Sequence, residues 1–242
     1  MNLEGFPVEI RNDIEDQSLD ILEIIIDDIV VIGGWAVRGL LGKKHKRYTL
    51  DIDGVASKDK LDVVTDKLSK LELKTSETDW GIKYHKKYIP KVDIPEELTS
   101  RVDSIELRIE ISEPLIKEDE THYFEFSLTN TIQKNIDYHK QSKALPVNVP
   151  PIEYMAANKL GLPADYKNNY DTAVLLRESD IEEVISVIKE NDDWHAMVIK
   201  RLPKLIGRIN IPGGLEHTLA INSGIDIKEH IGKLRLIEKA LK

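Results

Sequence analysis

The stretch VVIGGWAVRGLLGKKHKRYTLDIDGVAS, residues 30–57, decides the fold of this chain. It opens with β-branched residues that end at Gly33-Gly34, which is typical of a buried strand followed by a tight turn. From Trp35 to Leu41 the apolar residues recur at helical spacing, and Gly42 marks the expected end of that helix. The two glycines should therefore lie between a strand and a helix N-terminus, where a phosphate can approach the backbone.

The second half of the stretch predicts two aspartates side by side on a strand. Residues 50–55 alternate, so that Leu50 and Ile52 share one face while Asp51 and Asp53 share the other. The two carboxylates are then about 7 Å apart and repel each other unless a cation lies between them. Mg²⁺ suits such oxygen ligands, and two ions can stabilise the attacking and leaving oxygens of a phosphoryl transfer.

Each half of the stretch also has an ordinary interpretation. A Gly-Gly step alone is usually a turn, and an Asp-x-Asp pair alone is usually a solvated strand face. Together, one helix and one loop apart, they predict a nucleotide and metal site.

The combination Ile32-Gly33-Gly34 and Asp51-Ile52-Asp53 resembles the signature of the DNA polymerase β-like nucleotidyltransferase superfamily. The segments GGWAV, residues 33–37, and RYTLDID, residues 47–53, look most like the minimal and AbiEii-type nucleotidyltransferases of bacteria and archaea. The gap between the glycines and the aspartates is longer than in the superfamily pattern, with residues 42–46 as an apparent extra loop.

This resemblance implies an α+β fold, in which a small mixed sheet with flanking helices is followed by a helical C-terminal region. It implies a nucleoside triphosphate such as ATP as substrate, two Mg²⁺ ions, and contacts to the nucleotide from Gly33, Gly34, Arg47 and Thr49. The acceptor hydroxyl could belong to an RNA 3′ end, a protein side chain or a small molecule such as an aminoglycoside. The AbiEii-type likeness also suggests a toxin of a toxin–antitoxin pair, with an antitoxin as its partner.

The superfamily carries a third carboxylate on a strand next to the Asp-x-Asp strand, which helps to bind metal and can act as general base on the attacking hydroxyl. Glu110, within the alternating residues 105–112, is the first candidate for a ligand and catalytic residue beside Asp51 and Asp53. Asp93, in Val92-Asp93-Ile94, is the second, although Pro95 would shorten its strand. Both candidates stay open at the level of sequence.

The rest of the first half predicts helices at residues 1–28 and 58–71 and strands at residues 80–88 and 123–128. Three prolines within residues 146–151 indicate a linker. We therefore expect a nucleotidyltransferase domain at residues 1–148 and a helical domain at residues 149–242. Helical periodicity recurs in the second domain at residues 152–162, 166–177, 180–190, 193–209, 213–221 and 227–241.

Two residues of this helical region extend the resemblance. In AbiEii-type proteins a lysine on one helix and an aspartate opening the next face the active site, and Lys159 and Asp171 are similar in position. By that likeness Lys159 contacts the triphosphate, and Asp171 orients the triphosphate or supports the lysine. The family often has an arginine shortly before this aspartate, where the present chain has Lys167.

Composition sets limits on the class of protein. The 242 residues contain no cysteine, which excludes disulfides and thiolate chemistry, and the net charge of -9 argues against a general nucleic-acid-coating protein. Neither a membrane-spanning run nor a signal peptide is visible in the sequence, so a cytoplasmic protein is expected. Basic residues at 43–47 and 83–87 form either a cationic rim for polyphosphate or RNA, or simply solvated lysines.

Two rival functions follow from the same residues. A non-catalytic nucleotide-binding or interaction protein could keep this fold, and it would bind nucleotide without releasing pyrophosphate. A different Mg²⁺-dependent phosphotransferase is disfavoured, because the chain has neither a Walker-type Gly-x-x-x-x-Gly-Lys nor a kinase-like His-Arg-Asp set.

Overall fold

The computed structural model describes residues 3, 5–71, 73–78, 81–113 and 130–242. Its strands are β1 Val30–Ile32, β2 Ile52–Val55, β3 Lys74–Thr78, β4 Gly81–Lys87, β5 Glu106–Ser112, β6 Ile132–Asp137 and β7 Ala144–Val149. The helices of the first half are α1 Val8–Ile25, α2 Gly33–Leu41, α3 Lys58–Ser69 and α4 Thr99–Asp103. Those of the second half are α5 Ile152–Gly161, α6 Tyr166–Glu178, α7 Ile181–Lys189, α8 Asp192–Ile209, α9 Leu215–Asn222 and α10 Ile227–Leu241.

The main sheet is small and mixed. Its strands run in the order β1-β2-β5-β4-β3, and β2 with β5 is the parallel pair while the other neighbours are antiparallel. A separate hairpin of β6 and β7 packs against β1 and α2. The α+β class with a helical C-terminal region, expected from the sequence, is therefore confirmed.

Alternation along β5 explains why the sheet has one buried and one polar face. Leu107, Ile109 and Ile111 are buried, whereas Glu106 and Arg108 between them are exposed. A two-residue period places the apolar side chains on the core side, so the polar side chains are left on the face that α5 and α6 approach. This polar face carries the candidate site.

The C-terminal helices begin directly after β7. Helix α5 packs on α6, α7 and α8, and both α5 and α6 also contact α2. Asp180 caps α7, accepting hydrogen bonds from the amides of Glu182 and Glu183. In the described part of the chain, no helix has the length and apolar character needed to cross a bilayer.

The expected linker is wrong. Residues 144–149 form strand β7, and Pro146 pairs in register with Asn135 of β6. In the described part of the chain Pro146 lies in a hairpin of two strands and not in the interior of the five-stranded sheet, where a proline would be disfavoured. The division into domains at residues 148 and 149 stays a prediction.

Two other strand predictions have different outcomes. Residues 92–94 lie in an irregular segment, so Asp93 belongs to no strand. The strand predicted at residues 123–128 falls outside the described residues. The N-terminal helix starts at Val8, later than expected, because Pro7 stands at its N-cap position.

Candidate active site

A single row of paired residues crosses the sheet and defines the site. Ile32 of β1 lies opposite Asp53 of β2, Asp53 opposite Glu110 of β5, and Glu110 opposite Lys83 of β4. Directly opposed residues point to the same side of a sheet. The side chains of Asp53, Glu110 and Lys83 are therefore neighbours on the polar face, although they are far apart in sequence.

Gly33 brings the start of α2 directly against this row. Its φ of 64° is a left-handed conformation that suits glycine, and a Cβ built on it would lie 1.9 Å from Oδ2 of Asp53. The first amide groups of a helix have no partner within the helix, so they remain available to an anion. The Gly-Gly step thus holds free backbone donors next to the Asp53 carboxylate.

Gly34 makes a second close approach, to the segment before β2. A Cβ at this position would lie 2.8 Å from Oγ1 of Thr49 and 2.9 Å from Nη2 of Arg47. The buried hydroxyl of Thr49 has no hydrogen-bond partner among the described residues. The backbone amide of Thr49 donates to the buried carboxylate of Glu15 on α1, over 2.6 Å.

Two lysines pair with the outer carboxylates of the site. Nζ of Lys167 is 2.8 Å from Oδ2 of Asp51, and Nζ of Lys83 is 3.2 Å from Oε1 of Glu110. In this arrangement no three His, Asp or Glu side chains of the described segments enclose a point where a metal could sit. Glu110 lines the cavity while Asp51 lies outside its lining, and lysines supply the counter-charges of both carboxylates.

The central carboxylate is the most perturbed of the three. Burial, followed by repulsion from the carboxylates of Asp51 and Glu110, raises the pKa of Asp53 to about 7, while Lys159 and Lys167 act in the opposite direction. A carboxyl group in such surroundings gains more from a nearby cation than an exposed one does. The row therefore favours binding of positive charge.

The cavity above the row has a volume of about 130 Å³ and is lined from both halves of the chain. Gly33, Asp53 and Glu110 form its floor, and Asn158, Lys159 and Asn168 of α5 and α6 face them. Pockets for whole small molecules are typically about 300–1,000 Å³. This cavity therefore matches the reacting end of a nucleotide rather than all of it.

Behind the cavity, the fully buried carboxylate of Asp171 contacts three side chains, those of Arg47, Lys159 and His45. Arg47 contacts both of its oxygens, at 3.1 and 2.9 Å from Nη2, and Nζ of Lys159 lies 3.1 Å from Oδ2. Burial alone would raise the pKa of Asp171, but Arg47, Lys159 and His45 outweigh it and hold the pKa well below its usual value. Asp171 thus fixes the position of Lys159 at the cavity wall.

His45 completes this cluster as a neutral side chain. Its Nδ1 accepts from Nε of Arg38 at 3.2 Å, so Nε2 must carry the proton that it shares with Asp171 at 3.1 Å. Burial lowers the pKa of His45 to about 4; Asp171 raises it, while Arg47 and Arg38 lower it. The hydrogen bonds and the lowered pKa both indicate a neutral His45 with its proton on Nε2.

The structure brings together most of the residues singled out from the sequence. Gly33, Asp53, Glu110 and Lys159 surround one cavity, and Asp51 stands at its edge with Lys167. Arg47, Thr49 and Asp171 lie behind Gly34 and Lys159, buried rather than on a solvent-facing rim. Asp93 is elsewhere, in a surface hollow that it shares with Glu9.

Several contributors were not among the site residues that the sequence suggested: Asn158 and Asn168 of the cavity wall, Glu15 behind it, and Lys83 and His45, which were expected only in a basic rim. His45 lies in an alternating segment: in the structure His45, Arg47 and Thr49 are buried, while Lys44 and Lys46 are exposed. Such alternation is what an extended segment with one inward face shows. The segment was instead interpreted as a uniformly basic loop. Glu15 gave no local signal, since its partner Thr49 is distant in sequence, and Lys83 was expected only as one of several basic residues near the site.

Comparisons with known proteins find similar solved structures, but no match to a family model or to a curated protein. Similar solved structures include JHP933 from Helicobacter pylori, with 17% identity, a TM-score of 0.49 and coverage of 98% of this chain and 95% of that one. A candidate nucleotidyltransferase from H. pylori has 16% identity, a TM-score of 0.49 and coverage of 98% and 97%.

A further similar structure is MenT4, a nucleotidyltransferase toxin from Mycobacterium tuberculosis H37Rv, with 14% identity, a TM-score of 0.44 and coverage of 97% of this chain and 85% of that one. Two of these three proteins are named as nucleotidyltransferases. At these identities and TM-scores the likeness carries no conclusion about what the present site does.

Proposed function

We propose that this protein is a Mg²⁺-dependent nucleotidyltransferase that moves a nucleoside monophosphate from a nucleoside triphosphate to an acceptor hydroxyl. The observation that carries the proposal is the register of the sheet, which sets Glu110 beside Asp53 and both beneath Gly33. Carboxylates alone would suggest only a cation site. A helix N-terminus with free amides against the same carboxylates adds the place for a phosphate.

The chemistry of the donor atoms, rather than a preformed metal cage, favours Mg²⁺. Asp51, Asp53 and Glu110 offer only hard oxygen ligands, and the crowding that raises the pKa of Asp53 is relieved by a cation. When bound there, Mg²⁺ would polarise the phosphoryl oxygens and stabilise the charge that develops on the attacking and leaving oxygens.

The remaining roles belong to the chain itself. The amides at Gly33 and Gly34 and the ammonium of Lys159 would hold the phosphates and orient the α-phosphorus towards the acceptor. The acceptor oxygen would form a bond to that phosphorus while the bond to the β-phosphate oxygen breaks and pyrophosphate leaves. Glu110 would accept the proton of the acceptor hydroxyl as general base.

The support behind Lys159 strengthens this assignment. Asp171 and Arg47 are both buried, and their ion pair holds Asp171 in a fixed position against the lysine. A cation positioned by such a cluster loses little conformational entropy when it meets an anion. We extend the proposal to an acceptor that is an RNA end, a protein side chain or a small molecule, and to a toxin setting with an antitoxin partner.

The test is incubation with each of the four α-³²P-labelled nucleoside triphosphates, Mg²⁺ and a mixture of cellular RNA, protein and small-molecule extract. Label in one fraction, together with pyrophosphate release, is expected for the wild-type protein and not for Asp53→Asn. The control Asp66→Asn changes an exposed carboxylate of α3 and should label as the wild type does. Nucleotide binding without pyrophosphate release would favour the non-catalytic alternative and overturn the proposal.

A further inference from the structure

The charges around the cavity are balanced before any ligand arrives. Asp51 is paired with Lys167, and Glu110 with Lys83, at 2.8 and 3.2 Å. Behind them, Asp171 is paired with Arg47 and Lys159 at 2.9 and 3.1 Å. With Asp53, the site therefore holds four carboxylates and four basic side chains.

This pairing of charges restricts which ligands can bind in the cavity. A free divalent cation would have to displace lysine ammonium groups from Asp51 and Glu110 and would leave them beside a new positive charge. A nucleoside triphosphate carries about four negative charges near neutral pH, which matches two Mg²⁺ ions. A metal–nucleotide complex can therefore enter without leaving net charge in a partly desolvated cavity, whereas the free metal cannot.

The side chains of Lys83 and Lys167 are more exposed than that of Lys159. The side chain of Lys83 is 32% exposed and that of Lys167 is 26% exposed, whereas Lys159 is held at 6% exposure by Asp171. Both ammonium groups lie next to the carboxylates that a metal would use, and each is on a long, partly exposed side chain that could turn from its carboxylate towards bound phosphates. Lys159, in contrast, is already fixed.

From this geometry, and resting on the proposed function, we infer that Lys83 and Lys167 are exchangeable counter-ions. They occupy Glu110 and Asp51 when the cavity is empty, and they transfer to phosphate oxygens when metal and nucleotide bind together. They are positioning residues that couple the two ligands, so the protein takes up its metal with the nucleotide and resists the free ion. Coupling of this kind is reciprocal, because each ligand changes the affinity for the other by the same factor.

The experiment is a titration with Mn²⁺, followed by electron paramagnetic resonance of the free ion, with and without a non-hydrolysable nucleoside triphosphate analogue. The variants are Lys83→Met and Lys167→Met, which remove the charge and keep an apolar stem. The control is Lys87→Met, on the same strand and the same face as Lys83 but paired with Asp103. Binding of the analogue is measured separately by calorimetry.

We expect wild type and Lys87→Met to bind Mn²⁺ at least tenfold more tightly when the analogue is present. Each site variant should bind Mn²⁺ alone at least tenfold more tightly than wild type and should bind the analogue more weakly. The coupling factor, which is the ratio of the Mn²⁺ affinities with and without the analogue, should therefore fall. Unchanged Mn²⁺ affinity and unchanged coupling in both variants would overturn this inference while leaving the metal site intact. No Mn²⁺ binding by wild type even with the analogue would instead overturn the metal-dependent function on which the inference rests.

Discussion

Oδ2 of Asp53 occupies the position that a side chain on residue 33 would need, since a Cβ built on Gly33 would lie 1.9 Å from it. The close approach and the positive φ of Gly33 have the same consequence: this residue has to be glycine for the helix start and the carboxylate to meet. This contact brings together the Gly-Gly step and the Asp-x-Asp pair, which are separate motifs in the sequence.

Replacing Gly33 by Ala should therefore damage both stability and binding. A left-handed φ on a non-glycine residue costs about 1–3 kcal/mol, and the methyl group would also push Asp53 out of the row. We expect a lower denaturation midpoint and weaker binding of nucleotide, measured by urea unfolding and calorimetry. Gly207→Ala is the matched control, because a Cβ there meets no atom within 4 Å and lies in helix α8, so it should leave stability unchanged or raise it.

The identity of the third carboxylate can be tested by comparing Glu110 with Asp93. Glu110 pairs in register with Asp53, whereas Asp93 lies in an irregular surface segment. Glu110→Gln should lower the rate of nucleotidyl transfer by about 10²–10⁴-fold, the usual contribution of a general base. Asp93→Asn should keep the wild-type rate. A loss of transfer in Asp93→Asn, at unchanged thermal stability, would reverse the assignment.

Much of the secondary structure could be predicted because it depends on sequence patterns that span only a few residues. The boundaries of α10 were predicted to the residue. The Gly-Gly step and the Asp-x-Asp strand are likewise short patterns of residue type and spacing. Such patterns fix which element forms, because backbone propensity and periodicity act over a few residues.

The site could be predicted only in part, because its pairings are distant in sequence. Arg47 looked like part of a solvent-facing rim, yet it is buried against Asp171, 124 residues away. Lys83 looked like a member of the same rim, yet it pairs with Glu110 through the register of β4 and β5. Neither burial nor register follows from the spacing of charges along a chain.

The hairpin of β6 and β7 was missed for a different reason. Three prolines within residues 146–151 indicate a chain without regular structure, but Pro150 and Pro151 follow the last strand, and Pro146 lies in a two-stranded hairpin. Leu145, Val147 and Val149 alternate with exposed neighbours and are buried, which is a strand pattern. The periodicity was the better guide, since proline excludes a central strand but not an edge.

The ion cluster behind Lys159 should stabilise the fold as well as position the lysine. Asp171→Asn would remove the partner of the buried Arg47 guanidinium, and breaking a buried pair from one side costs about 3–5 kcal/mol. We expect a loss of this size in urea unfolding, together with weaker nucleotide binding because Lys159 loses its anchor. Asp66→Asn removes an exposed pair with Lys70 and should cost about 0.5 kcal/mol or less. Equal costs in the two variants would show that the buried cluster contributes nothing special.

Protonation of His45 should make the protein less stable in mild acid. The pKa of this buried histidine is lowered to about 4, so between pH 6.5 and 4 the unfolded chain binds a proton that the folded chain does not. Its contribution to the free energy of unfolding is therefore present above pH 6.5 and is lost as the pH falls towards 4, by up to about 3 kcal/mol.

His230 and Asp53 are described groups whose shifted pKa values also act in this window, so their effects have to be separated from that of His45. Burial lowers the pKa of His230 to about 4, so its effect has the same sign. The pKa of Asp53 is raised to about 7, so its contribution is fully present below an unfolded pKa of about 3.9 and is lost as the pH rises through 7. Because Asp53 has the opposite slope, the wild-type curve alone would understate the histidine effect.

The measurement that isolates His45 is the difference between wild type and His45→Gln in urea unfolding from pH 4 to pH 8. Glutamine can keep one donor to Asp171 and one acceptor for Arg38 but does not titrate. His230 and Asp53 are present in both proteins and cancel in the difference. The stability of wild type relative to the variant should therefore fall as the pH is lowered from 6.5 to 4. A difference that stays constant across this range would mean that His45 keeps its ordinary pKa and that the neutral bridge between Arg38 and Asp171 does not form.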